Sequence, residues 1–238
     1  MKKLSIIIPV YNEEGYICKV LERVINAVLS EEVDRELILV DDGSEDKTAS
    51  LIETYIKEHS EYDIKFFKHP ENYGKGAAVS KGIKEATGDY IVIQDADLEY
   101  DPDELGSLLD LVHKGYADVV YGSRFRGSNP HRVLFFWHYM GNKFLTWLSN
   151  LFANLNLTDM ETCYKMFRAE IVKPLILCEK RFGFEPEITA KMAKVPDIRV
   201  YEVGISYYGR TYKEGKKINW KDGVHAILCV LKYNLFPR

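Results

Sequence analysis

The 238-residue sequence contains few cysteines and no long apolar run. The four cysteines, at positions 18, 163, 178 and 229, lack the short spacing of a zinc site, so we expect reduced thiols. No apolar stretch approaches the roughly 20 residues that a membrane-spanning helix needs, and no signal peptide is recognised at the start. With 46% hydrophobic residues, the chain can form one large cytoplasmic domain with a substantial core.

Two common nucleotide-binding motifs are also missing. A P-loop needs Ser or Thr after its lysine, but Lys75 is followed by Gly76, and His69 stands where the upstream glycine belongs. The dinucleotide fingerprint fails as well, because Val79 occupies its third glycine position. What remains is a flexible, lysine-bearing loop before a helix N-terminus, which is a weak anion site.

Charge is divided unevenly along the chain. Residues 1–119 carry 13 Lys and Arg against 26 Asp and Glu, whereas residues 120–238 carry 19 against 10. The net charge of −4 therefore hides a basic C-terminal half, which favours an anionic partner such as phosphate groups or a lipid surface. No nucleic-acid-binding motif accompanies this charge, so we expect no nucleic-acid partner.

A run of alternating carboxylates follows a β-branched segment, Ile91–Ile93. Its members are Asp95, Asp97, Glu99 and Asp101. If the chain stays extended there, alternate side chains point to one face, and the crowded oxygens suit Mg²⁺ or Mn²⁺. An EF-hand is excluded, because its required glycine and closing glutamate are absent. Asp101 precedes Pro102 and is interpreted as a helix cap instead.

Strand and helix patterns alternate over the first half of the chain. Apolar strands are predicted near residues 4–10, 36–40, 64–67 and 91–93, and Asn12 is expected to cap the helix after the first strand. Such alternation predicts right-handed βαβ units and an α/β fold with a mostly parallel, Rossmann-like sheet. Ligands bind beyond the carboxyl ends of such strands, where loops 9–13, 41–42, 72–76 and 95–99 are expected to converge.

Two segments of the second half carry arginine and lysine in loops. Arg124 follows a predicted strand at 117–121 and suits bidentate contact with a diphosphate, although an ion pair with acidic residues is the alternative. The glycine-punctuated basic loop 209–217 suggests a phosphate clamp or a lid.

Two amphipathic helices are predicted at residues 135–155 and 220–236. The first is unusually aromatic, and a core helix is the more common explanation of its apolar stripe. A helix lying at a membrane interface is the alternative, since basic residues adjoin the stripe. We expect a catalytic domain over residues 1–218, followed by a C-terminal amphipathic helix over 219–238 that packs on the domain or contacts lipid.

Several motifs stand in an order that resembles family 2 glycosyltransferases of the GT-A fold. They are Ser5-Ile-Ile-Ile-Pro-Val-Tyr-Asn-Glu13, Val40-Asp-Asp-Gly-Ser44, Asn72-Tyr-Gly-Lys-Gly76, Asp95-Ala-Asp97 and Gly122-Ser-Arg124. Residues 159–165 and 209–217 resemble the dolichol-phosphate mannosyltransferase and polyprenyl-phosphate glycosyltransferase group in particular. Many members have Ser-Gly-Phe-Arg where this chain has Thr162-Cys-Tyr-Lys165, and some carry a membrane-spanning extension. The resemblance therefore implies a peripheral protein at the cytoplasmic face of a membrane, or one with a membrane partner.

The resemblance also implies roles for individual residues. Nucleotide-sugar binding is assigned to Pro9, Tyr11, Glu13, Asp41, Asp42, Lys75, Asp95, Ala96 and Asp97. A divalent metal, Mg²⁺ or Mn²⁺, is assigned to Asp95, Asp97 and Glu99. Contacts with the diphosphate and the acceptor are assigned to Arg124, Asp159, Thr162, Arg210, Lys216 and Lys217, and catalysis depends most on Asp97, Arg124 and Arg210.

The implied reaction is an inverting transfer of mannose or glucose from a GDP- or UDP-sugar to a polyprenyl or dolichyl phosphate. Three alternatives stay open. A sugar nucleotidyltransferase is disfavoured, because no glycine-rich loop follows the first strand. A saccharide or protein hydroxyl as acceptor would need a carboxylate base, for which Glu161 is the nearest candidate. A non-catalytic module that binds a nucleotide sugar or a lipid is the third.

Overall fold

A computed structural model describes residues 1–29, 32–127, 130, 132–209 and 220–236. Its sheet has seven strands in the order β3-β2-β1-β4-β6-β5-β7. The strands are β1 (Lys2–Val10), β2 (Val33–Asp41), β3 (Ile64–Lys68), β4 (Tyr90–Ile93), β5 (Val119–Ser123), β6 (Lys165–Arg168) and β7 (Val200–Gly204). Only β6 pairs antiparallel with its neighbours, β4 and β5, so the prediction of a mostly parallel α/β sheet is confirmed.

Helices connect the strands of this sheet. They are α1 (Ile17–Asn26), α2 (Thr48–Glu58), α3 (Lys75–Glu85), α4 (Leu105–His113), α5 (Phe136–Ala153), the short α6 (Ala169–Val172), α7 (Phe184–Met192) and α8 (Trp220–Leu235). A single 3-10 turn, Pro102–Glu104, precedes α4. The apolar stripe of α1, from Ile17 to Ile25, is buried, as its helical spacing predicts.

The core lies around the three central parallel strands. Ile6 of β1 is paired in register with Leu37 of β2 and Val92 of β4, and all three side chains are buried. Strands covered on both faces are expected to be apolar throughout. Glu36 is a buried exception in β2, where Ser5, Lys65, Thr87 and Gly88 donate hydrogen bonds to its carboxylate.

The loop after β1 differs from the prediction. Asn12 is not a helix cap, because α1 begins five residues later at Ile17. Instead Asn12 has a left-handed backbone (φ 50°), which asparagine tolerates better than most residues. Its amide N–H donates to Ser44 Oγ at 2.9 Å, and its side-chain oxygen accepts from the Glu45 N–H at 2.9 Å. Asn12 therefore joins the two loops that follow β1 and β2.

The helix α5 is amphipathic, but its apolar stripe faces outward. The exposed residues recur at helical spacing and are Trp137, Met140, Phe144, Trp147 and Leu151. The side chains buried against the body are the polar Thr146 and Ser149. The interpretation of this stripe as core is therefore wrong for most of its length, although Leu148 and Leu155 are partly buried.

The helix α8 packs against α5 and α7. Cys229 and Tyr233 are buried with Ala190 of α7, whereas Val224, Leu228 and Leu235 are exposed. Glu179 anchors α8 further, since its carboxylate accepts hydrogen bonds from His225, Lys232 and Tyr233. No helix among the described residues combines the length and the apolar character needed to cross a membrane. A domain boundary between 218 and 219 stays a prediction.

Candidate functional site

A cavity of about 1050 Å³ lies at the carboxyl edge of the parallel strands. Loops that follow β1, β2, β3, β4 and β5 all contribute to its wall, which is where a parallel sheet binds ligands. Ten of the predicted residues line it: Pro9, Tyr11, Glu13, Asp42, Lys75, Asp95, Ala96, Asp97, Glu99 and Arg124. The predicted residues Arg210, Lys216 and Lys217 lie outside the described residues.

The two aspartates at the end of β2 have different surroundings. Asp42 lies in the cavity wall, where its carboxylate accepts hydrogen bonds from the N–H groups of Tyr73 (3.0 Å) and Gly74 (2.6 Å) and lies 2.8 Å from His69 Nδ1. Asp41 is fully buried behind the wall and accepts hydrogen bonds from the backbone and side chain of Ser44. Asp42 thereby holds the loop before α3 in place.

The loop before α3 is packed tightly, in contrast to the flexible loop that its glycines suggest. A Cβ on Gly76 would lie 2.2 Å from the Glu179 carbonyl oxygen, so only glycine permits this close approach of two backbones. Gly74 has a φ of 104°, which also favours glycine. The glycines therefore serve backbone packing, and they leave Lys75 pointing into the cavity wall.

Lys75 forms ion pairs with two carboxylates. Its Nζ lies 2.8 Å from Asp95 Oδ1 and 3.6 Å from a Glu185 oxygen. Burial alone would lower the pKa of Lys75, but the charges of Asp95 and Glu185 raise it well above its ordinary value. Lys75 is therefore a permanent cation within the site, and its position beside carboxylates differs from that of a phosphate-loop lysine.

The alternating acidic run does not stay extended. After β4 the chain turns, and Leu98 has a left-handed backbone (φ 59°). Asp97 and Glu99 still line the cavity, but Asp101 faces Arg23 at 2.5 Å and accepts from the Asp103 N–H. The interpretation of Asp101 as a cap is therefore confirmed, whereas the single crowded acidic face is wrong because the turn separates its members.

Glu99 connects the acidic run to the strand β7 side of the cavity. Its Oε2 accepts a hydrogen bond from Tyr207 Oη at 2.7 Å, and its carbonyl accepts from the Tyr208 N–H at 2.8 Å. Asp97 Oδ1 accepts from the Glu99 N–H at 3.1 Å. Within the described part of the chain, no three of these carboxylates bring ligand oxygens within 4.8 Å of one another. Their oxygens are still of the type that Mg²⁺ and Mn²⁺ prefer.

Arg124 is held by a buried ion pair. Its Nε lies 2.7 Å from Asp159 Oδ2, and its Nη2 lies 2.8 Å from Asp159 Oδ1. Asp159 is fully buried and does not line the cavity, and neither does the buried Thr162. The structure therefore places Asp159 and Thr162 behind the wall, and Asp159 orients the guanidinium that lies in it.

The amphipathic helices α5 and α8 also contribute residues to the cavity wall. Trp137, His138, Asn142 and Leu145 of α5 line it, together with Asp222 and Ala226 of α8. Sequence reasoning did not assign these residues to the site, because it treated both helices as separate from the catalytic cleft. Trp137 belongs both to the cavity lining and to the exposed apolar stripe of α5.

Two further acids, Glu161 and Glu185, line the cavity. Glu161 is the candidate base for a hydroxyl acceptor, and Glu185 lies in the first turn of α7. Burial raises the pKa of Glu161 to about 8, with a further contribution from the charge of Glu185. The sequence offers little to identify Glu185 as a site residue. Acids are common in the first turn of a helix, where they interact favourably with the helix dipole, so its position has an ordinary explanation.

A model of glycosyl transferase family 2 matches residues 5–176 of this chain. Two similar proteins are undecaprenyl-phosphate 4-deoxy-4-formamido-L-arabinose transferases. The protein from Proteus mirabilis is 30% identical over 216 residues, and the one from Photorhabdus laumondii is 29% identical over 216 residues. Each match covers 91% of this chain and 63% of the relative, so this chain spans less than two thirds of their length.

Solved structures of glucosyl-3-phosphoglycerate synthase from Mycobacterium tuberculosis share the fold. The complex with Mn²⁺, UDP and phosphoglyceric acid has a TM-score of 0.71 at 19% identity and covers 100% of this chain and 80% of that one. The complex with Mg²⁺ and UDP has a TM-score of 0.72 at 18% identity and covers 100% and 81%. The likeness confirms the GT-A fold. Since the family pattern also extends over most of the sequence, from the first strand through the cavity loops to β6, the chain belongs to glycosyl transferase family 2.

Proposed function

We propose that this chain is a metal-dependent inverting glycosyltransferase that moves a hexose, mannose or glucose, from a GDP- or UDP-sugar to a polyprenyl phosphate. The observation that carries the proposal is the composition of the cavity. Its lining combines carboxylates and Arg124 with residues of α5, whose apolar stripe is exposed, and of α8. A nucleotide sugar suits the carboxylates and the arginine, and a lipid phosphate suits a cavity that adjoins an exposed apolar helix. The names of the similar undecaprenyl-phosphate transferases support the same acceptor class.

The nucleoside would occupy the side formed by the ends of β1 and β2. Pro9, Tyr11 and Glu13 line the cavity there. Behind them, Asp41 Oδ2 is buried and has no hydrogen-bond partner among the described residues, so a base or ribose donor would satisfy it. Asp42 supports this side through the loop that it holds.

Asp97 would be the principal ligand of a divalent metal, with Asp95 and Glu99 beside it. One or two carboxylates suffice for Mg²⁺ when substrate phosphates complete its shell. When bound, the ion would neutralise the charge that develops on the leaving diphosphate. The complexes of the fold neighbours with Mn²⁺ or Mg²⁺ and UDP support this assignment.

Arg124 would stabilise the phosphate groups, since its planar guanidinium lies in the wall and its charge is permanent. The neighbouring Asp159 fixes its orientation, although that carboxylate also takes up part of its hydrogen-bonding capacity. Arg210, Lys216 and Lys217 are proposed for the same phosphates on the grounds of the family resemblance.

The acceptor chemistry favours a phosphate over a hydroxyl. A phosphomonoester has a second pKa of about 6 and is largely ionised at neutral pH, so its oxygen attacks the anomeric carbon without a general base. A hydroxyl acceptor would need one. Glu161 is the nearest candidate, and a pKa of about 8 leaves it mostly protonated at neutral pH. The alternative of a hydroxyl acceptor is therefore the weaker one.

The lipid would reach the cavity from a membrane surface. The outward stripe of α5 is rich in Trp and Phe, which favour the lipid–water interface, and Arg132 and Lys143 provide cations next to it. Because the same helix lines the cavity, a phosphate held inside would leave its prenyl chain along this stripe. We therefore propose peripheral membrane binding through α5 and α8.

The test is transfer of labelled sugar from a panel of GDP- and UDP-sugars to a short-chain polyprenyl phosphate. Reactions contain Mn²⁺ or Mg²⁺, and matched reactions contain EDTA. The matched acceptor control is the corresponding polyprenol, which keeps the apolar chain and replaces the phosphate with a hydroxyl. We expect label in the lipid phase only with the phosphate and only with metal.

Label on the polyprenol, or on a saccharide added to the reaction, would support the hydroxyl-acceptor alternative instead. Binding of nucleotide sugar without any transfer would favour a non-catalytic module. Transfer that continues in EDTA would contradict the proposed metal dependence.

A further inference from the structure

Glu161 and Glu185 are cavity acids whose hydrogen bonding is incomplete. Glu185 is only 3% exposed, and its Oε2 is buried without a hydrogen-bond partner among the described residues. The same holds for Oε1 of Glu161. Buried carboxyl oxygens are nearly always hydrogen-bonded, and leaving one unpaired is costly. Both groups lie in the wall of the cavity, where a bound molecule can supply the missing donors.

The two acids lie in one electrostatic cluster. Burial raises the pKa of both, and the charge of Glu185 raises the pKa of Glu161 further. Lys75 and Lys165 oppose these shifts for Glu185. At neutral pH the pair therefore tends to hold one protonated and one ionised carboxyl, which together offer both a donor and acceptors.

This combination suits hydroxyl groups, which donate and accept hydrogen bonds at the same atom. It does not suit a phosphate, because an ionised carboxylate repels another anion. The nearby cations are already paired with carboxylates, Arg124 with Asp159 and Lys75 with Asp95 and Glu185. Rotation about the last side-chain bond of glutamate has a broad minimum, so each carboxyl can turn toward a ligand at little cost.

We infer that Glu161 and Glu185 bind hydroxyl groups of the transferred sugar and determine which sugar the site accepts. Glu185 contacts Lys75, which in turn contacts Asp95 of the proposed donor site. Glu161 follows Asp159, the partner of Arg124, by two residues. The pair is thus connected on one side to the donor carboxylates and on the other to the phosphate-binding arginine. The inference rests on the proposed function in that it requires a nucleotide-sugar donor, but it is independent of the acceptor.

The experiment compares binding of free nucleotides and nucleotide sugars by calorimetry in the presence of Mn²⁺. The probes are UDP, GDP and a panel of UDP- and GDP-hexoses, and the proteins are the wild type, Glu161→Gln and Glu185→Gln. We expect the wild type to bind one nucleotide sugar more tightly than its free nucleotide. Each variant should lose about tenfold in affinity for that nucleotide sugar, the effect of one lost hydrogen bond, and should keep wild-type affinity for the nucleotide.

Deoxy analogues of the preferred sugar identify the hydroxyl involved. The wild type should bind one deoxy analogue about tenfold more weakly than the parent sugar, whereas the corresponding glutamine variant should bind the two almost equally. This loss of discrimination is a result that a purely structural role would not produce.

Glu187→Gln is the matched control. Glu187 lies two residues after Glu185 and is fully buried, but its carboxylate accepts hydrogen bonds from the N–H groups of Cys178 and Glu179 and from Lys191. This variant should lose stability and keep the preference for the sugar. If Glu185→Gln does not fold, Glu161→Gln and the deoxy analogues decide the outcome.

The inference is overturned if both glutamine variants weaken the nucleotide and the nucleotide sugar equally, or if neither changes any affinity. It is also overturned if the wild type prefers no nucleotide sugar over its nucleotide. No lipid is present, so a sugar preference that depends on these acids would stand even if the transfer experiment excluded a polyprenyl phosphate.

Discussion

Arg124 in the cavity wall and Asp159 behind it form a bidentate ion pair, with N–O distances of 2.7 and 2.8 Å. The Asp159 side chain is fully buried and that of Arg124 is 10% exposed. A second pair, Arg199 and Asp118, has nearly the same geometry, with distances of 3.0 and 2.7 Å, but the Arg199 side chain is 48% exposed. The protein thus contains the same ion pair in a buried and in a solvated setting.

We expect Arg124→Met to cost about 3–5 kcal/mol of unfolding free energy, because it leaves the buried Asp159 charge without its partner. Arg199→Met should cost clearly less than Arg124→Met, because water screens the exposed pair. Urea unfolding of both variants measures the difference. Adding Asp159→Asn to Arg124→Met should restore part of the loss, and equal costs at the two sites would contradict this account.

The buried carboxylate of Glu36 is expected to make the folded protein less stable at acid pH. Burial alone would raise its pKa, but hydrogen bonds from Lys65, Ser5 and Thr87 lower the pKa from 4.5 to about 2. Since the folded protein favours the ionised form, this contribution is complete above pH 4.5 and disappears as the pH falls toward 2. It amounts to about 3 kcal/mol.

Unfolding measured between pH 7 and pH 3 should therefore show a smaller pH dependence for Glu36→Gln than for the wild type, together with lower stability at pH 7. Glu85→Gln is the control, because the Glu85 pair with Lys81 is about one-third exposed. A Glu36→Gln variant that retained the full acid dependence would contradict the assignment.

Asp97 and Asp101 belong to the same acidic run but are expected to have different roles, metal binding for Asp97 and helix capping for Asp101. We expect Asp97→Ala to lower the transfer rate by at least about tenfold and to weaken Mn²⁺ binding, because it removes the principal oxygen ligand. Asp101→Ala removes the pair with Arg23 and a cap, so it should cost about 1 kcal/mol of stability and leave Mn²⁺ binding intact. Calorimetry with Mn²⁺ and UDP, beside thermal unfolding, distinguishes the two effects; normal metal dependence in Asp97→Ala would exclude it as a ligand.

The outward stripe of α5 predicts binding to vesicles. Trp147→Glu replaces an exposed aromatic with a charge and should weaken co-sedimentation with anionic vesicles by roughly tenfold or more. Tyr116→Glu is the control, since Tyr116 is equally exposed (58%, against 57% for Trp147) but lies between α4 and β5. Both variants should bind UDP as the wild type does. Equal losses, or none, would remove the support for membrane contact through α5.

Gly76 lies where any side chain would clash with the backbone of a segment distant in sequence. The added Cβ of Gly76→Ala would meet the Glu179 carbonyl at 2.2 Å, so we expect a loss of about 1–3 kcal/mol. Gly141→Ala adds a Cβ with no atom within 4 Å in the helix α5 and should stabilise by about 0.5–1 kcal/mol. Thermal unfolding measures both. If Gly76→Ala did not change the unfolding temperature, segment 179–181 would have to move aside without a measurable loss of stability.

Much of the fold and part of the site could be predicted from local patterns. Buried parallel strands such as Leu4–Val10 are recognisable as apolar runs, and alternation with helices predicts that their carboxyl ends meet. This is why Tyr11, Lys75 and Asp97 could be expected at one cavity. The position of β6, antiparallel between β4 and β5, could not, because strand order depends on contacts between distant segments.

Residue spacing along the chain was enough to predict most strands and helices and the loops at the carboxyl edge, because these properties are local. The pairing of Asp159 with Arg124, the contact of Glu185 with Lys75 and the outward direction of the α5 stripe depend on how distant segments pack together. Periodicity reveals that a helix has an apolar face, but the direction of that face is set by what packs against the opposite side. For α5 that side is polar, with Thr146 and Ser149 against the body.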